Sequence, residues 1–303
     1  MFRNRKVTVI IPALNEAPSI GQVVTGLFAL EVCSRCQRMA YSNESGKQAV
    51  INLSRADKYC SNDCGRSCTK LVDEVVVGDN GSSDDTAQIA RRCGAIVINE
   101  PQPGYGAACL AALSAPVEMD LVVFVDGDHS VVPEELPFLL DPLISGADLV
   151  IGSRTLGSCA HGALSIPQRM GNRLASALME FLWDGKVTDL GPFRAITYQA
   201  LEQIQMTDRR FGWTVEMQIR ALQLSLKTVE IPVTTRARIG KSKIGGTVKG
   251  IIGASHGILG MIARLYWRQV KEQFAGRAQL TGNARQKKTE VELTSMGKHR
   301  RTL

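Results

Sequence analysis

The stretch VVFVDGDHS, residues 122–130, runs from apolar residues into two aspartates, Asp126 and Asp128, that are separated by one glycine. A continuous apolar run of this kind is typical of a strand buried on both faces of a parallel sheet. The two carboxylates repel each other, and a divalent cation relieves that repulsion. The stretch therefore predicts a strand whose exit holds Mg²⁺ or Mn²⁺ together with a diphosphate. By itself, the D-x-D pattern also fits a simple turn before Pro133.

Short apolar runs alternate with amphipathic stretches on both sides of this strand. The strand-like runs are VTVIIPAL, VDEVVVGDN, AIVIN, DLVVFVDGD and DLVIGSR. PSIGQVVTGLFALEV, GYGAACLAALSA and PEELPFLLDPLI carry apolar residues at helical spacing, and a further helix begins after Ser82 or Ser83 and ends at Gly94. This alternation predicts an α/β fold, a Rossmann-like and mostly parallel sheet with helices on both faces.

Polar side chains follow four of the predicted strands. In open parallel sheets, ligands bind beyond the carboxyl ends of the strands, so these residues are candidates for chemistry. They are Asn15 and Glu16 after the first strand, Asp79 and Asn80 after the second, Asp126 and Asp128 after the fourth, and Arg154 after the fifth. We expect them to form one site.

The net charge of +7 is concentrated in two segments of the 303-residue chain. From Arg268 onward there are nine Lys and Arg against three Asp and Glu, and residues 33–70 hold seven against three, which leaves a balance of −3 for the remainder. A nucleic-acid interface needs cations clustered on a folded surface, so this distribution argues against a nucleic-acid partner. The basic tail fits either contact with an anionic membrane or a solvated end.

Five of the eight cysteines fall within residues 33–70. They form a C-x2-C pair and a C-x3-C-x3-C run, and they are Cys33, Cys36, Cys60, Cys64 and Cys68. Such spacing in an intracellular chain suggests a zinc site. The segment between the two groups has little periodicity, which favours a surface insertion with incidental thiols.

We expect no signal peptide, because MFRNRKVTVIIPALNE enters a short strand-like run that Pro12 breaks. The late apolar stretch GIIGASHGILGMIA is shorter than the roughly 20 residues that a bilayer span needs. It fits an interfacial amphipathic helix or a helix packed on the core. We expect a cytoplasmic protein, with peripheral membrane contact as one of the two interpretations of its basic tail.

Several motifs together resemble family 2 glycosyltransferases with the GT-A fold. They are VIIPALNE, VVVGDNGSSDDT, GYGAACLAAL, VVFVDGD and DLVIGSR. The later DLGPFRAI, GWTVEMQIRA and RIGKSKIGGT are similar to the branch that includes dolichyl-phosphate mannose synthase and related polyprenyl-phosphate sugar transferases. The resemblance implies one GT-A domain over residues 1–265, with the cysteine-rich insertion at 33–70, and a basic, disordered tail over 266–303.

The resemblance also implies roles for single residues. Asp126 and Asp128 match the metal and diphosphate motif, and Asp79 matches the acid that recognises the nucleotide base. Other substrate-binding positions match the first nucleotide loop, the arginine after the fifth strand and the R-x-G-x-S-K loop that handles phosphate. They are Pro12, Ala13, Asn15, Glu16, Arg154, Arg238, Ser242 and Lys243. Ser130 stands where some mannose synthases carry Gln, which leaves the sugar open.

The acceptor decides whether the reaction needs a base. A hydroxyl is a weak nucleophile and needs a carboxylate within hydrogen-bond reach, for which Asp189 and Glu216 are the candidate catalytic acids. A polyprenyl phosphate is already anionic, so cations such as Arg194, Arg238 and Lys243 would hold it instead. The sequence offers both sets.

These features favour inverting, metal-dependent hexosyl transfer from a nucleotide-diphosphate sugar to a polyprenyl (dolichyl) phosphate. Negative charge grows on the departing diphosphate as the anomeric C–O bond breaks, and Mg²⁺ or Mn²⁺ would stabilise it as a Lewis acid. One alternative is a glycosyltransferase that acts on a lipid or soluble hydroxyl. Another is an inactive scaffold that carries a zinc-binding interaction insert.

Overall fold

The computed structural model describes residues 2–33, 38–42, 48–52, 68–160, 163–240, 253 and 255–274. In chain order its strands are β1 (Val7–Ala13), β2 (Glu31–Cys33), β3 (Arg38–Ser42), β4 (Gln48–Asn52), β5 (Cys68–Lys70), β6 (Glu74–Asp79), β7 (Ile96–Asn99), β8 (Leu121–Phe124), β9 (Leu149–Cys159), β10 (Arg194–Thr197) and β11 (Thr228–Thr235). Seven of them form the main sheet, in the order β11-β9-β10-β8-β1-β6-β7.

β1 lies inside the main sheet and pairs in parallel with both β6 and β8, while β6 pairs in parallel with β7. All seven residues of β1 are buried, as its continuous apolar run predicts. β10 runs antiparallel between β8 and β9, and β11 pairs in parallel with β9. The predicted α/β fold with a mostly parallel sheet is confirmed.

The helices are α1 (Ala17–Phe28), α2 (Thr86–Arg92), α3 (Tyr105–Leu113), α4 (Leu136–Ile144), α5 (Ile166–Trp183), α6 (Tyr198–Ile204) and α7 (Trp213–Gln223), and a 3-10 turn, Pro133–Glu135, precedes α4. A further helix, α8, covers residues 255–274. A capping box starts α5, because the Ser165 hydroxyl accepts from the Gln168 N–H while the Gln168 side chain accepts from the Ser165 N–H.

Helices cover both faces of the main sheet, because successive residues of a strand point to opposite sides. On one face α1 and α4 pack with strand residues such as Val9 and Val123. On the other face α3, α6 and α7 pack with Ile10 and Val122. A third apolar cluster joins α5, α7 and α8 through residues such as Met179. α5 and α8 thereby lie together over the amino-terminal part of α7.

β2, β3, β4 and β5 form a second, antiparallel sheet in the order β4-β3-β2-β5. The sequence predicted a surface insertion here and no strands, because the segment has little periodicity. The strands are defined by main-chain pairing between them. The register sets Cys33 opposite Cys68. Cys36, Cys60 and Cys64 lie outside the described residues, so the zinc site stays a prediction.

Several elements differ from those predicted. α1 ends at Phe28, because the chain enters β2 at Glu31. β10 and β11 were not predicted as strands. α8 passes through residue 265, so residues 266–274 of the predicted tail are helical, and residues 275–303 lie outside the described part. Among the described residues, no helix is both long enough and apolar enough to cross a bilayer.

Candidate active site

The carboxyl ends of the central parallel strands meet at one edge of the main sheet. Ala13, the last residue of β1, pairs with Asp79, the last residue of β6. β8 ends with Phe124 opposite Ile10, and the next N–H, of residue 125, still donates to the Ile10 carbonyl at 3.1 Å. Asp126 therefore leaves the sheet beside the loop that follows β1, as expected for strands of a shared site.

A cavity of about 320 Å³ lies against the end of β1. Four predicted substrate-binding residues line it together with Asp126 and Asp128, and they are Pro12, Ala13, Glu16 and Arg238. We call it the β1 cavity. It unites the first predicted nucleotide loop with the D-x-D aspartates.

Two further cavities reach Asp126 from other directions. The arginine cavity, of about 170 Å³, is lined by Arg154, Arg236 and Arg238. The α5 cavity, of about 230 Å³, lies between α5 and α8 and includes Gly171 and Ile258 in its walls. The Asp126 carboxylate is thus common to three cavities of different character.

The surroundings of Asp126 disfavour its charge. Burial, followed by the nearby charge of Asp128, raises the pKa of Asp126 to about 7. The Tyr105 hydroxyl donates to Asp126 Oδ1 at 3.0 Å. Burial and the charge of Asp126 raise the pKa of Tyr105 well above its ordinary value, so Tyr105 remains a donor at neutral pH. Among the described residues, no donor reaches Oδ2 of Asp126.

Asp128 is 4% exposed and is tied to the predicted phosphate loop. Its Oδ1 accepts from the Ser130 N–H at 2.9 Å, and its Oδ2 accepts from the Arg238 guanidinium. The backbone adds a second link, because the Ile239 N–H donates to the Asp128 carbonyl at 2.9 Å. Arg238 therefore lies beside the aspartates, and its role in phosphate binding stays a prediction. Ser242 and Lys243 lie outside the described residues, so their roles stay predictions.

Asp126 and Asp128 fit a divalent cation. Both offer the hard carboxylate oxygens that Mg²⁺ and Mn²⁺ prefer, and their mutual repulsion is the kind of strain that a cation relieves. Within the described ranges, no group of three or more His, Cys, Asp or Glu could hold a metal ion. A cation at this pair would complete its coordination with water and phosphate oxygens, as Mg²⁺ commonly does.

Asn15 supports the loop after β1 rather than lining the β1 cavity. Its Oδ1 accepts from the Ser83 N–H at 2.7 Å, and its own N–H donates to Ser82 Oγ at 2.9 Å. The φ angle of Asn15 is 52°, a left-handed conformation that Asn adopts more readily than most residues. This predicted substrate-binding residue therefore joins the loops that follow β1 and β6.

Asp79 offers a buried acceptor. It is 6% exposed, and among the described residues its Oδ1 has no hydrogen-bond partner. Leaving such an atom unsatisfied costs about 1–3 kcal/mol, so a ligand N–H would be favoured here. The next residue, Asn80, fixes the loop before α3, because its Oδ1 accepts from the Gly104 N–H at 2.7 Å and its Nδ2 donates to the Gln102 carbonyl at 2.7 Å.

Arg154 lies within β9, which continues to Cys159, rather than after the strand as predicted. Its Nε and Nη2 donate to Oδ2 and Oδ1 of Asp189, each at 2.7 Å, and its backbone N–H also donates to Oδ2 at 2.7 Å. This bidentate pair fixes the guanidinium where the arginine and α5 cavities adjoin. Asp189 is 1% exposed and both its oxygens accept from Arg154, so the geometry disfavours its predicted role as a base.

Glu216, the other predicted catalytic acid, is bound to the loop before α7. Its Oε2 accepts from the N–H groups of Thr207 at 3.0 Å and Asp208 at 2.7 Å, and its Oε1 accepts from the Thr207 hydroxyl at 2.5 Å. Glu216 is buried and lines none of the three cavities. Its position disfavours a role as a base for an acceptor at Asp126.

Arg194 lies in the protein interior at the start of β10. It donates to the carbonyls of Gly191 at 3.1 Å and Thr214 at 2.9 Å, and burial lowers its pKa to about 10. It lines none of the three cavities. The position does not support the predicted contact with an acceptor phosphate, because the main chain already occupies the guanidinium.

Two aromatic residues at the site are not among the predicted residues. Tyr105 and Phe211 each line both the β1 cavity and the α5 cavity. Tyr105 had a usable signal, since it stands in GYG at the start of a predicted helix. Phe211 lies in a loop without periodicity, and only the tertiary structure brings it to the site.

Comparison with known proteins identifies the family. The profile of Glycosyl transferase family 2 matches residues 58–204. An uncharacterized glycosyltransferase of Mycobacterium tuberculosis is 36% identical over 179 residues, which cover 59% of this chain and 81% of that protein. The chain belongs to glycosyl transferase family 2. This family 2 glycosyltransferase is also 36% identical over 174 residues to the dolichyl-phosphate hexose transferase of Haloferax volcanii, with coverage of 56% of this chain and 73% of the relative.

A solved structure agrees with the fold. The glucosyl-3-phosphoglycerate synthase from Mycobacterium tuberculosis, in complex with Mn²⁺, UDP and phosphoglyceric acid, matches with a TM-score of 0.60 and 21% identity. The match covers 87% of this chain and 79% of that chain. The predicted GT-A fold is thereby confirmed.

We expect Asp126→Asn to stabilise the metal-free enzyme. The folded pKa of about 7 exceeds the unfolded value of about 3.9, so between these values the native state keeps a proton that the unfolded chain has lost. Wild-type stability therefore falls as pH rises through this window. At pH 8 with a chelator, the neutral amide should raise the melting temperature by at least about 3 °C.

Thermal melts of both proteins from pH 4 to pH 8 measure this effect. The advantage of Asp126→Asn should shrink as pH falls toward 4, where the wild-type carboxyl is itself neutral. Glu202→Gln, at an exposed position of α6, is the matched control and should change little. A difference that is as large at pH 4 as at pH 8 would contradict the expectation.

Proposed function

We propose that this family 2 glycosyltransferase transfers a hexose, with inversion, from a nucleotide-diphosphate sugar to a polyprenyl phosphate. The observation that carries the proposal is the position of Asp126, which lines the β1, arginine and α5 cavities. A nucleotide sugar, an anionic phosphate and an apolar chain each have a suitable cavity, and all three cavities reach the same carboxylate.

The β1 cavity supports the donor half of the proposal. The loop after β1 lines it, and the unsatisfied Oδ1 of Asp79 lies at the end of the neighbouring strand as an acceptor for a base N–H. The structurally similar glucosyl-3-phosphoglycerate synthase was crystallised with UDP and Mn²⁺. A nucleotide-diphosphate sugar is the donor class that combines a base, a diphosphate and a sugar at such a site.

Asp126 and Asp128 are the residues that would hold Mg²⁺ or Mn²⁺. When bound, the cation neutralises negative charge that develops on the departing diphosphate. Arg238, in an ion pair with Asp128, adds a fixed positive charge to the same loop. These two aspartates and this arginine would together bind and orient the diphosphate.

The other two cavities support a polyprenyl phosphate as the acceptor. Leu164, Leu190 and Ile258 give the α5 cavity apolar walls. Arg154 stands where the α5 and arginine cavities adjoin, and no described residue provides an acceptor for its Nη1 group. A phosphate there would meet a preorganised guanidinium. The name of the Haloferax volcanii relative, and of a polyprenol monophosphomannose synthase that is 28% identical over 187 residues, favours the same acceptor class.

The transfer balances without a protein base. An oxygen of the acceptor phosphate attacks the anomeric carbon, a C–O bond to the acceptor forms, and the C–O bond to the diphosphate breaks. The nucleoside diphosphate leaves with the bonding electrons. Since the attacking oxygen is already deprotonated, no proton has to move. The engagement of Asp189 by Arg154 and of Glu216 by Thr207 is consistent with this route.

We expect the double variant Asp126→Asn/Asp128→Asn to lose transfer by at least about 10²-fold, because it removes both cation ligands. A panel of nucleotide sugars with Mn²⁺, read by thermal shift, should identify a donor that stabilises the wild type. That stabilisation should disappear in the double variant and with excess chelator. Glu202→Gln is again the control. Full transfer by the double variant, or in chelator, would refute the metal role.

Glu216→Gln tests the class of acceptor. A Gln oxygen can accept from the N–H groups of Thr207 and Asp208, and its amide can donate to the Thr207 hydroxyl, so the loop contacts are kept. Because a phosphate acceptor needs no base, transfer should stay within about threefold of wild type. The measurement is single-turnover transfer to a short polyprenyl phosphate. Complete loss of this transfer with intact donor binding would show that the reaction needs the Glu216 carboxylate and would contradict a route without a protein base.

Peripheral contact with an anionic bilayer is part of the proposal. α5 exposes Ile166, Met170, Leu174 and Phe181, which helical spacing places within about a quarter of the helix circumference. The residues Arg169 and Arg173 border this apolar stripe, against one acid, Glu180. The stripe adjoins the α5 cavity, since Pro167 and Gly171 of the same helix line that cavity. A membrane at the stripe would present the acceptor lipid to the cavity.

We expect the double variant Met170→Asp/Leu174→Asp to lose binding to vesicles that contain anionic lipid. Both side chains are more than half exposed, at 68% and 51%, so the change should leave the fold intact. Flotation of the full chain with vesicles measures binding. Leu224→Asp, a 46% exposed residue at the end of α7, is the matched control. Undiminished flotation of the double variant would exclude α5 as the contact surface.

A further inference from the structure

The β1 cavity and the α5 cavity share a wall. Phe211 and Tyr105 line both cavities, and both cavities also reach Asp126. Resting on the proposed function, we propose that Phe211 is a specificity-determining residue that separates the donor sugar from water until an acceptor fills the α5 cavity. It would thereby decide between transfer and hydrolysis of the donor.

The competing reaction has a simple balance. A water oxygen attacks the anomeric carbon, the C–O bond to the diphosphate breaks, and the water loses a proton to solvent. The products are free sugar and a nucleoside diphosphate. Because water is far more abundant than a lipid acceptor, an enzyme must exclude it from a reactive donor. An aromatic ring between the two cavities is apolar and bulky enough to do so.

Asp208 holds the loop that carries Phe211. Its Oδ2 accepts from the Arg210 N–H at 3.0 Å and from the Gly212 N–H at 2.8 Å, on either side of Phe211. Glu216 of α7 also holds this loop, because its carboxylate accepts from the N–H groups of Thr207 and Asp208. The backbone is therefore held on both sides of Phe211, which fixes the point from which its side chain extends.

The start of α3 locks the two aromatic residues together. The N–H groups of Gly106 and Ala107 donate to the carbonyls of Arg210 at 3.1 Å and Arg209 at 2.9 Å. A Cβ on Gly106 would lie 2.0 Å from the Asp208 carbonyl oxygen, so only glycine permits this approach. Tyr105 precedes Gly106 in the same turn, and its hydroxyl is fixed on Asp126. The wall is thus tied to the reacting centre.

α8 closes the wall from the other side. A Cβ on Gly257 would lie 3.2 Å from the Phe211 Cβ, and a Cβ on Gly253 would lie 3.7 Å from Phe211 Cε2. The Phe211 side chain therefore lies close to two glycines, with its Cβ beside Gly257 of α8 and its ring edge beside Gly253, which precedes α8. Gly212, the next residue, leaves room for Met261 of α8, since a Cβ there would lie 2.9 Å from the Met261 Cε. Phe211 is consequently held by α3, by its own loop and by α8.

Phe211→Ala tests the inference. Donor turnover by the full chain is followed with a labelled nucleotide sugar and a short polyprenyl phosphate, and the ratio of free sugar to glycosylated lipid is measured. Removing the ring should raise this ratio by about 10-fold or more, because water then reaches the anomeric carbon. Phe211→Trp, which keeps an aromatic wall, should retain a ratio close to wild type. Leu224→Ala is the control for a distant exposed apolar residue.

Glu216→Ala separates positioning from direct contact. If Glu216 acts through the loop, its loss should raise the same ratio without changing the Mn²⁺-dependent thermal shift by the donor nucleotide, and Glu216→Gln should restore the wild-type ratio. Should Phe211→Ala prove too unstable, Phe211→Leu gives the same readout with a smaller opening. An unchanged ratio in a folded Phe211 variant overturns the inference. Absence of any transfer by the wild type to polyprenyl phosphate would instead refute the proposed function.

Discussion

The close placement of Asp126 and Asp128 at the exit of β8 is the constraint on which the rest of the site depends. Desolvation and the neighbouring charge of Asp128 raise the pKa of Asp126 to about 7, so the folded chain disfavours the charged form of this carboxyl. The sheet can maintain this position because β8 is buried throughout and continues into the D-x-D loop through a main-chain bond to β1. A cation and a diphosphate are the partners that would turn this unfavourable arrangement into binding energy.

Hydrogen-bond satisfaction separates the buried carboxylates by role. Asp189, Glu216 and Asp208 are fully or largely engaged by groups of the protein itself, and each fixes an arginine or a loop. Asp79 differs, because one of its oxygens is buried with no described partner. Asp126 is only partly buried, and among the described residues one hydrogen bond, from Tyr105, reaches its carboxylate. The unsatisfied oxygen of Asp79 carries a free-energy cost that a ligand can remove, whereas Asp128 would have to share or exchange its contacts with Ser130 and Arg238 to bind a cation.

The sequence predicted five strands of the main sheet and the polar residues that follow β1, β6 and β8, because continuous apolar runs and the edge rule for parallel sheets are local signals. It failed for residues whose role depends on partners distant in the chain. Arg194 is a cation in a plausible motif, but it starts an antiparallel strand. The main-chain carbonyls of residues 191 and 214 accept hydrogen bonds from its guanidinium. Phe211 has no pattern of its own, since α3 and α8, which hold it, lie about a hundred residues before it and dozens after it.

The start of α3 connects the loop after β6 to the wall between the β1 and α5 cavities. Asn80, which follows β6, accepts from the Gly104 N–H, and two residues later the Gly106 N–H donates to the loop that carries Phe211. A Cβ on Gly104 would lie 1.9 Å from the Arg209 carbonyl oxygen, so the helix start and the loop cannot separate or shift independently without losing close contacts. A ligand that fixes the loop after β6 would therefore also fix Tyr105 and the loop that carries Phe211. Because Tyr105 lies between these two glycines and donates to Asp126, the same short segment links the end of β6, the D-x-D loop and the loop that carries Phe211.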